Sequence, residues 1–355
     1  MFIIQHYSTA VIFCVVTMFC WGSWANTQKL AGKSWRFELF YWDYVIGIFL
    51  FSLLSAFTLG SIGSSGRGFL ADLSQAGVGT LGSAFIGGVI FNAANILLAA
   101  AIAIAGMAVA FPVGIGLALV LGVVLNYAAH KQGNAVLLFS GVFLVCLAIF
   151  FNAMAYRRKG RAGSGGKGGY EGRANSSGKD AHEGRGQVSS KGILLALGGG
   201  LLMSFFYRFI AASMDMDNFV SPAVGKMTPY TAVFVFSCGI LVSNLIFNTL
   251  LIKKPFTGVP TSYAAYWKGN FKTHLTGVAG GLIWGLGNSF NLIAAGKAGP
   301  AISYGLGQGA TLIAALWGVF VWKEFSNSPT ATYRYLGAMF VVFIAGLGCI
   351  IYAGR

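Results

Sequence analysis

The sequence predicts an all-α polytopic membrane protein, with ten transmembrane helices in two inverted five-helix repeats. Three observations carry that expectation. Ten apolar stretches are each long enough to cross a bilayer, a basic glycine-rich segment splits them five and five, and a stretch of the first half returns in the second. A hydrocarbon core of ~30 Å takes about 20 helical residues per crossing, and little chain remains here for a soluble domain. Lipid offers no backbone hydrogen-bond partners, so each spanning segment must satisfy its own and is expected to be helical.

Composition agrees. Of the 355 residues, 56% are hydrophobic and only 9% are charged, against about 25% charged in a soluble domain. A net charge of +15 invites a nucleic-acid partner. The lysines and arginines, however, lie in loops between apolar runs, where membrane topology puts them, and no nucleic acid is expected. Cys14, Cys20, Cys146, Cys238 and Cys349 all lie inside apolar segments without a CxxC pair. They read as small packing residues, with no disulfide, metal or cofactor implied. His6, His130, His182 and His274 are scattered, mostly at segment ends or in loops.

The first element, 8–26, follows MFIIQHY, which lacks the positive n-region of a signal peptide; its apolar run is also long for one. It reads as the first transmembrane helix. Spans at 39–60, 80–103, 107–129 and 135–155 complete a first repeat over residues 1–156. Residues 157–191 hold nine Lys or Arg against three acids, among many Gly and Ser, the composition of a flexible, solvated linker. Its glycines do not make a phosphate loop: Arg161 stands where GxxxxGK needs glycine, and Gly168 stands where the hydroxyl residue belongs. Spans at 192–213, 230–252, 275–296, 300–322 and 335–353 make the second repeat, 192–355. With the linker in the cytoplasm, eighteen of the 24 lysines and arginines fall on the cytoplasmic side, the expected sign. Both termini are then outside, across a plasma (inner) membrane.

Residues 87–116 align without gaps to 280–309, with ten of thirty positions identical. Gly87 and Gly88 match Gly280 and Gly281, Asn95 matches Asn288, and Gly106, Gly114 and Gly116 match Gly299, Gly307 and Gly309. Five helices separate the copies, so the second enters from the opposite face, an arrangement common in transporters. Inverted halves in one chain remove the need for an oligomer.

Alternating access needs two halves that rock about a central site. Pro112 and Gly114 in the fourth helix, and Gly305 and Gly307 in the ninth, are candidate hinges, since Pro and Gly loosen a helix and free backbone groups. Asn92, Asn95, Asn288, Asn291 and Gln308 put amides at membrane depth. Each can donate and accept, which suits a small polar uncharged solute, with Trp284 and Tyr304 near enough to stack on a flat ring. The same asparagines also serve as glue between helices. Asp43, in ELFYWDYVIGIF, lies near the start of the second helix, and the second half has no acid there. An acid in a membrane span is a candidate proton carrier; the alternative is an interfacial acid paired with Lys33 or Arg36. Arg208, Asp215 and Asp217 cluster near the outer end of the sixth helix as a candidate gate. Glu324 reads as a boundary residue. No nucleophile or carboxylate pair suggests an enzyme.

YWDY at 41–44, the loop FTLGSIGSSGRGFLADL, GGVIFNAAN, AVAFPVGIGLALVLGVVLNY, the basic linker and WGVFVWKEF resemble the plant ureide permeases of the drug/metabolite transporter superfamily. The resemblance covers both halves and is strongest over residues 39–155. It implies ten helices in two inverted repeats and proton-coupled uptake of ureides or nucleobases, with Asp43 as the acid of the family's motif and Asn95 as its helix-three asparagine. The nucleotide-binding-like motif described in the family's central loop is absent. Relatives in the superfamily carry sugars such as rhamnose and glucose, and the amides suit a polyol as well as a cyclic urea. A receptor that binds without moving its solute is the reading from another class.

Overall fold

The computed structural model describes residues 1–32, 35–63, 65–165 and 189–355. The chain is an all-α polytopic membrane protein, with ten helices long and apolar enough to cross a bilayer: α1 Tyr7–Ala31, α2 Phe37–Phe57, α3 Val78–Ala105, α4 Phe111–Ala129, α5 Ala135–Lys159, α6 Ser190–Ser213, α7 Pro229–Lys253, α8 Phe271–Ala298, α9 Pro300–Val321 and α10 Thr330–Ala353. Each expected span coincides with one helix, to within a turn or so at its ends. Large apolar side chains stand outward along the bundle, among them Phe143, Leu245, Val341 and Ile344, as a lipid-facing surface requires.

Local sequence sets the helix ends. Pro229 and Pro300 open α7 and α9, where a missing N–H loses nothing. The Asn270 side chain caps α8 by accepting from Thr273 N at 2.8 Å. Gly106 and Gly299, with φ of +77° and +85°, end α3 and α8 and turn the chain into the next helix, a conformation that costs glycine little. The region 157–191, expected as a linker, falls mostly on 166–188, outside the described residues. At its edge, helix continues from α5 to Gly165. Arg158 lies over the Tyr335 ring and Lys159 over the Phe325 ring, both at 5.2 Å to the centroid, contacts that favour continued helix.

The most extensive contacts join α3 to α6, α5 to α10, α2 to α8, α1 to α8 and α3 to α7, with α4 on α6 and α1 on α9 beside them. Two crossings are made without side chains between the backbones. A Cβ on Gly281 would stand 2.0 Å from Tyr44 O, and one on Gly47 2.2 Å from Val278 O, where α2 meets α8. A Cβ on Gly88 would stand 2.0 Å from Phe236 O, and one on Gly239 2.1 Å from Phe85 O, where α7 meets α3. Small residues permit this approach, and van der Waals contact then holds the helices in lipid.

The two ends of the bundle differ. At the terminal end, Tyr7 OH donates to Ile351 O at 2.6 Å, and a clasp joins the α2–α3 loop to the α6–α7 loop. In the clasp the fully buried Asp72 takes Arg67 Nε at 3.0 Å and Thr228 N at 2.7 Å, while Arg67 Nη2 reaches Lys226 O at 2.8 Å. At the linker end, Lys29 on α1 meets Glu324, just past α9, at 2.8 Å.

Candidate functional site

A cavity of about 600 Å³ runs from the middle of the bundle to the linker end. Trp21 of α1, Phe91 and Asn95 of α3, Trp284 of α8, and Gln308 and Thr311 of α9 line its depth. Trp21 and Trp284 are near parallel, with centroids 5.8 Å apart and an interplanar angle of 10°, and Phe91 lies 4.4 Å from Trp284. The wall is thus a flat apolar surface with a few amide and hydroxyl groups, suited to a planar polar ring. α9 is broken here: its helix runs Pro300–Gly307 and resumes at Ala310–Leu316, which leaves Gln308 at the break. Gly307 lets the Trp21 ring close against the helix here, since a Cβ there would meet the ring at 2.7 Å.

The mouth is polar. Glu324 takes Lys29 at 2.8 Å on one oxygen and the Tyr156 hydroxyl at 3.1 Å on the other. Trp322 Nε1 donates to Asn26 Oδ1 at 2.6 Å, and Trp317 Nε1 to Ser23 Oγ at 2.8 Å. Burial opposes ionisation of Glu324, but the Lys29 ammonium outweighs it and holds the carboxyl below its ordinary value.

A second cleft, about 340 Å³, opens at the terminal end and is lined by Arg208, Asp215, Asp217, His130, Asn126 and Pro300 among others. Three helices pass from cleft to cavity in steps of one turn. Asn126, Ala211 and Pro300 line the cleft, and Ala118, Met203 and Gln308 line the cavity. Between them lie Gly122, Tyr207 and Tyr304. The Tyr304 hydroxyl donates to Ala118 O at 3.1 Å and Met203 O at 3.3 Å, its ring sits where a Cβ on Gly122 would be, and Tyr207 lies 5.2 Å from it. These residues form a septum one side chain thick.

The residues singled out from sequence divide accordingly. Asn95, Trp284 and Gln308 line the cavity. Asn92 is fully buried beside it, bonded to Tyr41, Ser243 and Ile240 O. Asn291 Nδ2 donates to Ser303 O at 2.8 Å, joining α8 to α9, and Tyr304 belongs to the septum. Asn288 is buried, with neither amide atom partnered among the described residues. Pro112 lies in a π-helical turn, Phe111–Ile115, at the linker end of α4. Gly114 admits α6, since a Cβ on Gly200 would lie 2.4 Å from Gly114 O, whereas a Cβ on Gly305 would make only ordinary contacts. Arg208, Asp215 and Asp217 share the terminal-end cleft, but among the described residues Arg208 pairs with neither acid: Asp215 accepts from Ala223 N at 2.9 Å, and Asp217 stands 3.7 Å from His130.

Asp43 is buried at the α2–α8 crossing. Tyr266 OH donates to its Oδ1 at 2.6 Å, and His274 Nδ1 lies 2.9 and 3.0 Å from its two oxygens. Arg36 is engaged by Glu38 at 2.9 Å, and Lys33 lies outside the described residues. Burial and then the Asp43 carboxyl push the Tyr266 hydroxyl up, so that it stays a donor. Sequence reasoning set His274 aside as a segment-end histidine; it is a residue of the first turn of α8, and only folding brings it to Asp43. Tyr41, Tyr207, Tyr266 and Trp21 were likewise missed, though WGSW at 21–24 is an aromatic signal at membrane depth.

The ureide permease family model matches residues 40–163 and 177–353. The chain belongs to the ureide permease family. As a member of that family and its drug/metabolite transporter superfamily it is a membrane permease and not an enzyme. It is similar to ureide permease 1 of Arabidopsis thaliana, 25% identical over an alignment that covers 99% of this chain and 98% of the relative. Ureide permease 2 of the same plant is 24% identical with the same coverage. The probable ureide permease A3 of Vigna unguiculata is 25% identical over 93% of this chain and 99% of its own length. The septum, the Asp43 site and the α3, α8 and α9 sides of the cavity lie within the matched residues, while Trp21 and the rest of its α1 side lie before them.

Proposed function

We propose that this permease takes up a small, planar, uncharged solute of the ureide or nucleobase kind by proton symport, with the cavity as the solute site. The cavity carries the reading: an aromatic wall with Asn95, Gln308 and Thr311 set into it, at the depth where secondary transporters bind. The names of the relatives support the solute class. Asp43 is the proposed proton carrier, with His274 and Tyr266 as its partners, because it is a buried acid inside a span, held by the His274 imidazole and the Tyr266 hydroxyl.

The finer architecture belongs to the same proposal. The first repeat is 1–156, the second is 192–355 and the linker joins them. Four features support inversion. The crossing of α2 on α8 uses Gly47 and Gly281, and that of α7 on α3 uses Gly239 and Gly88; Gly88 and Gly281 correspond in the repeat alignment, and Gly47 and Gly239 make matching contacts, with Val278 O and Phe85 O. Exchange of helix numbers by five turns the α3–α6 contact into α8–α1, and α4–α6 into α9–α1. Gly106 and Gly299 match in sequence and in φ. Short loop helices, Phe69–Gln75 and Tyr263–Trp267, stand at equivalent places. In this reading the linker is cytoplasmic, both termini are outside the plasma (inner) membrane, and the cavity is open inward with the septum closed. Arg208, Asp215 and Asp217 then line the outer approach, and Pro112, Gly114, Gly305 and Gly307 lie where α4 and α9 must adjust. No oligomer is required.

The test is uptake of labelled allantoin, uracil, glucose and rhamnose into proteoliposomes, with and without an inward proton gradient. Gradient-driven accumulation of allantoin or uracil is the expected result. Accumulation of a sugar alone would overturn the solute class, and absence of any uptake would overturn the assignment of the cavity.

A further inference from the structure

We propose that Tyr41, which does not touch the cavity, fixes which hydrogen-bonding atom the cavity presents at Asn95, and so makes the site select a solute that brings an N–H there. This deepens the solute reading above and rests on it.

The direction of the bonds can be derived from one end. The Ile240 carbonyl oxygen can only accept. It receives Ser243 Oγ at 3.0 Å and Asn92 Nδ2 at 3.3 Å. The hydroxyl proton of Ser243 is thereby committed, and its oxygen accepts Asn92 Nδ2 at 2.9 Å. With its nitrogen so placed, Asn92 turns Oδ1 toward Tyr41, whose hydroxyl donates to it at 2.9 Å. The Tyr41 oxygen now has only lone pairs left. Its other neighbour, Asn95, must therefore bring Nδ2, at 3.1 Å. Asn92 and Tyr41 are fully buried, so no bulk water relieves a wrong orientation, and an oxygen set against an oxygen there would leave both unpaired. The amide of Asn95 is consequently held one way round. Its Oδ1, without a partner among the described residues, is the acceptor left on the side of a residue that lines the cavity.

Four side chains on α7, α3 and α2 thus carry the polarity of one backbone carbonyl to the solute site. The asparagine alone offers either a donor or an acceptor; the relay removes that freedom. Tyr41 is accordingly a positioning residue. Replacing an N–H of the solute by an acceptor loses a bond and opposes two oxygens, which a site built on fixed polar groups rejects strongly.

The experiment uses the purified full-length protein and two uncharged five-membered probes of the same shape. 2-Imidazolidinone carries two N–H groups, and ethylene carbonate has oxygen in their place. Binding is read from quenching of tryptophan fluorescence, since Trp21 and Trp284 line the cavity. The native protein is expected to prefer 2-imidazolidinone by about ten-fold or more. In Tyr41→Phe the amide is free to turn, and the preference is expected to fall to about three-fold or less. In Asn92→Leu the Tyr41 proton is released to Asn95 Oδ1, the amide turns over, and the preference falls at least as far; this variant carries the test should Tyr41→Phe fail to fold. A purely structural loss would weaken both probes equally and leave the ratio intact. An unchanged ratio in the variants, no preference in the native protein, or no binding of either probe would overturn the proposal. Failure of the transport reading is seen separately, as absent allantoin and uracil uptake by a protein whose probe preference persists.

Discussion

Asp43 is hydrogen-bonded to two residues of one short stretch, Tyr266 in the loop helix and His274 in the first turn of α8. An acid held this way senses the position of α8 directly, so a change in its charge changes how firmly α2 and α8 are tied. Asp43→Asn keeps the shape and removes the titration. It is expected to abolish accumulation driven by a proton gradient while leaving exchange of labelled for unlabelled solute; accumulation retained by the mutant would exclude Asp43 as the carrier. Glu324 makes the contrasting case. Its carboxyl is held below the ordinary value near 4.5, and a depressed carboxyl contributes its stabilisation fully above the unfolded value and loses it as pH falls through the folded one. That window lies below the range of an uptake assay at pH 5 to 8. Glu324→Gln is therefore expected to change the rate of uptake, through the lost Lys29 tie at the mouth, without moving the midpoint of its pH profile. A shifted midpoint would make Glu324 part of the proton path.

At the scale of elements, the crossings depend on glycine because two backbones touch. A methyl at Gly88 or Gly281 has to displace a carbonyl oxygen 2.0 Å away. Each Gly→Ala change is expected to lower stability by about 1–3 kcal/mol, as overpacking does, read from thermal unfolding in detergent. Gly79→Ala and Gly348→Ala, where the added carbon meets nothing within 4 Å, are expected to be neutral or slightly stabilising. These glycines also mark what sequence made legible. The ten spans, the paired glycines and a polar depth at Asn95 all follow from local composition and from one internal alignment. The function of each amide did not, because Asn92, Asn95, Asn288 and Asn291 look alike until the neighbouring helices are placed. Tyr304 read as a stacking residue for the same reason: an aromatic near the middle of a span does not say whether it faces a cavity or, as here, two carbonyls of α4 and α6. His274 was out of reach because its partner lies 231 residues away in sequence.

Across the whole molecule, the septum of Gly122, Tyr207 and Tyr304 separates the cavity from the terminal-end cleft, and the Asp72 clasp holds the loops on that side. Tyr304→Ala is expected to join the two spaces, so that preloaded vesicles lose solute down its gradient and no longer concentrate it. A tight, concentrating mutant would place the barrier elsewhere. Arg67→Ala strips the buried Asp72 of its cation, and loss of one partner from a buried pair is expected to cost about 3–5 kcal/mol, measured as a lowered unfolding temperature. The matched crossings have a thermodynamic corollary. If α2 on α8 and α7 on α3 exchange roles as the carrier turns over, the contacts broken in one end state are remade in the other, and the two lie near one another in free energy. Such a scaffold is poised rather than sprung, and it stores no preference for either direction. Asp43 and His274 stand at one crossing where the other has Val235 and Leu81. An ion gradient can act on that inequality, and on it a poised scaffold would depend for net flow.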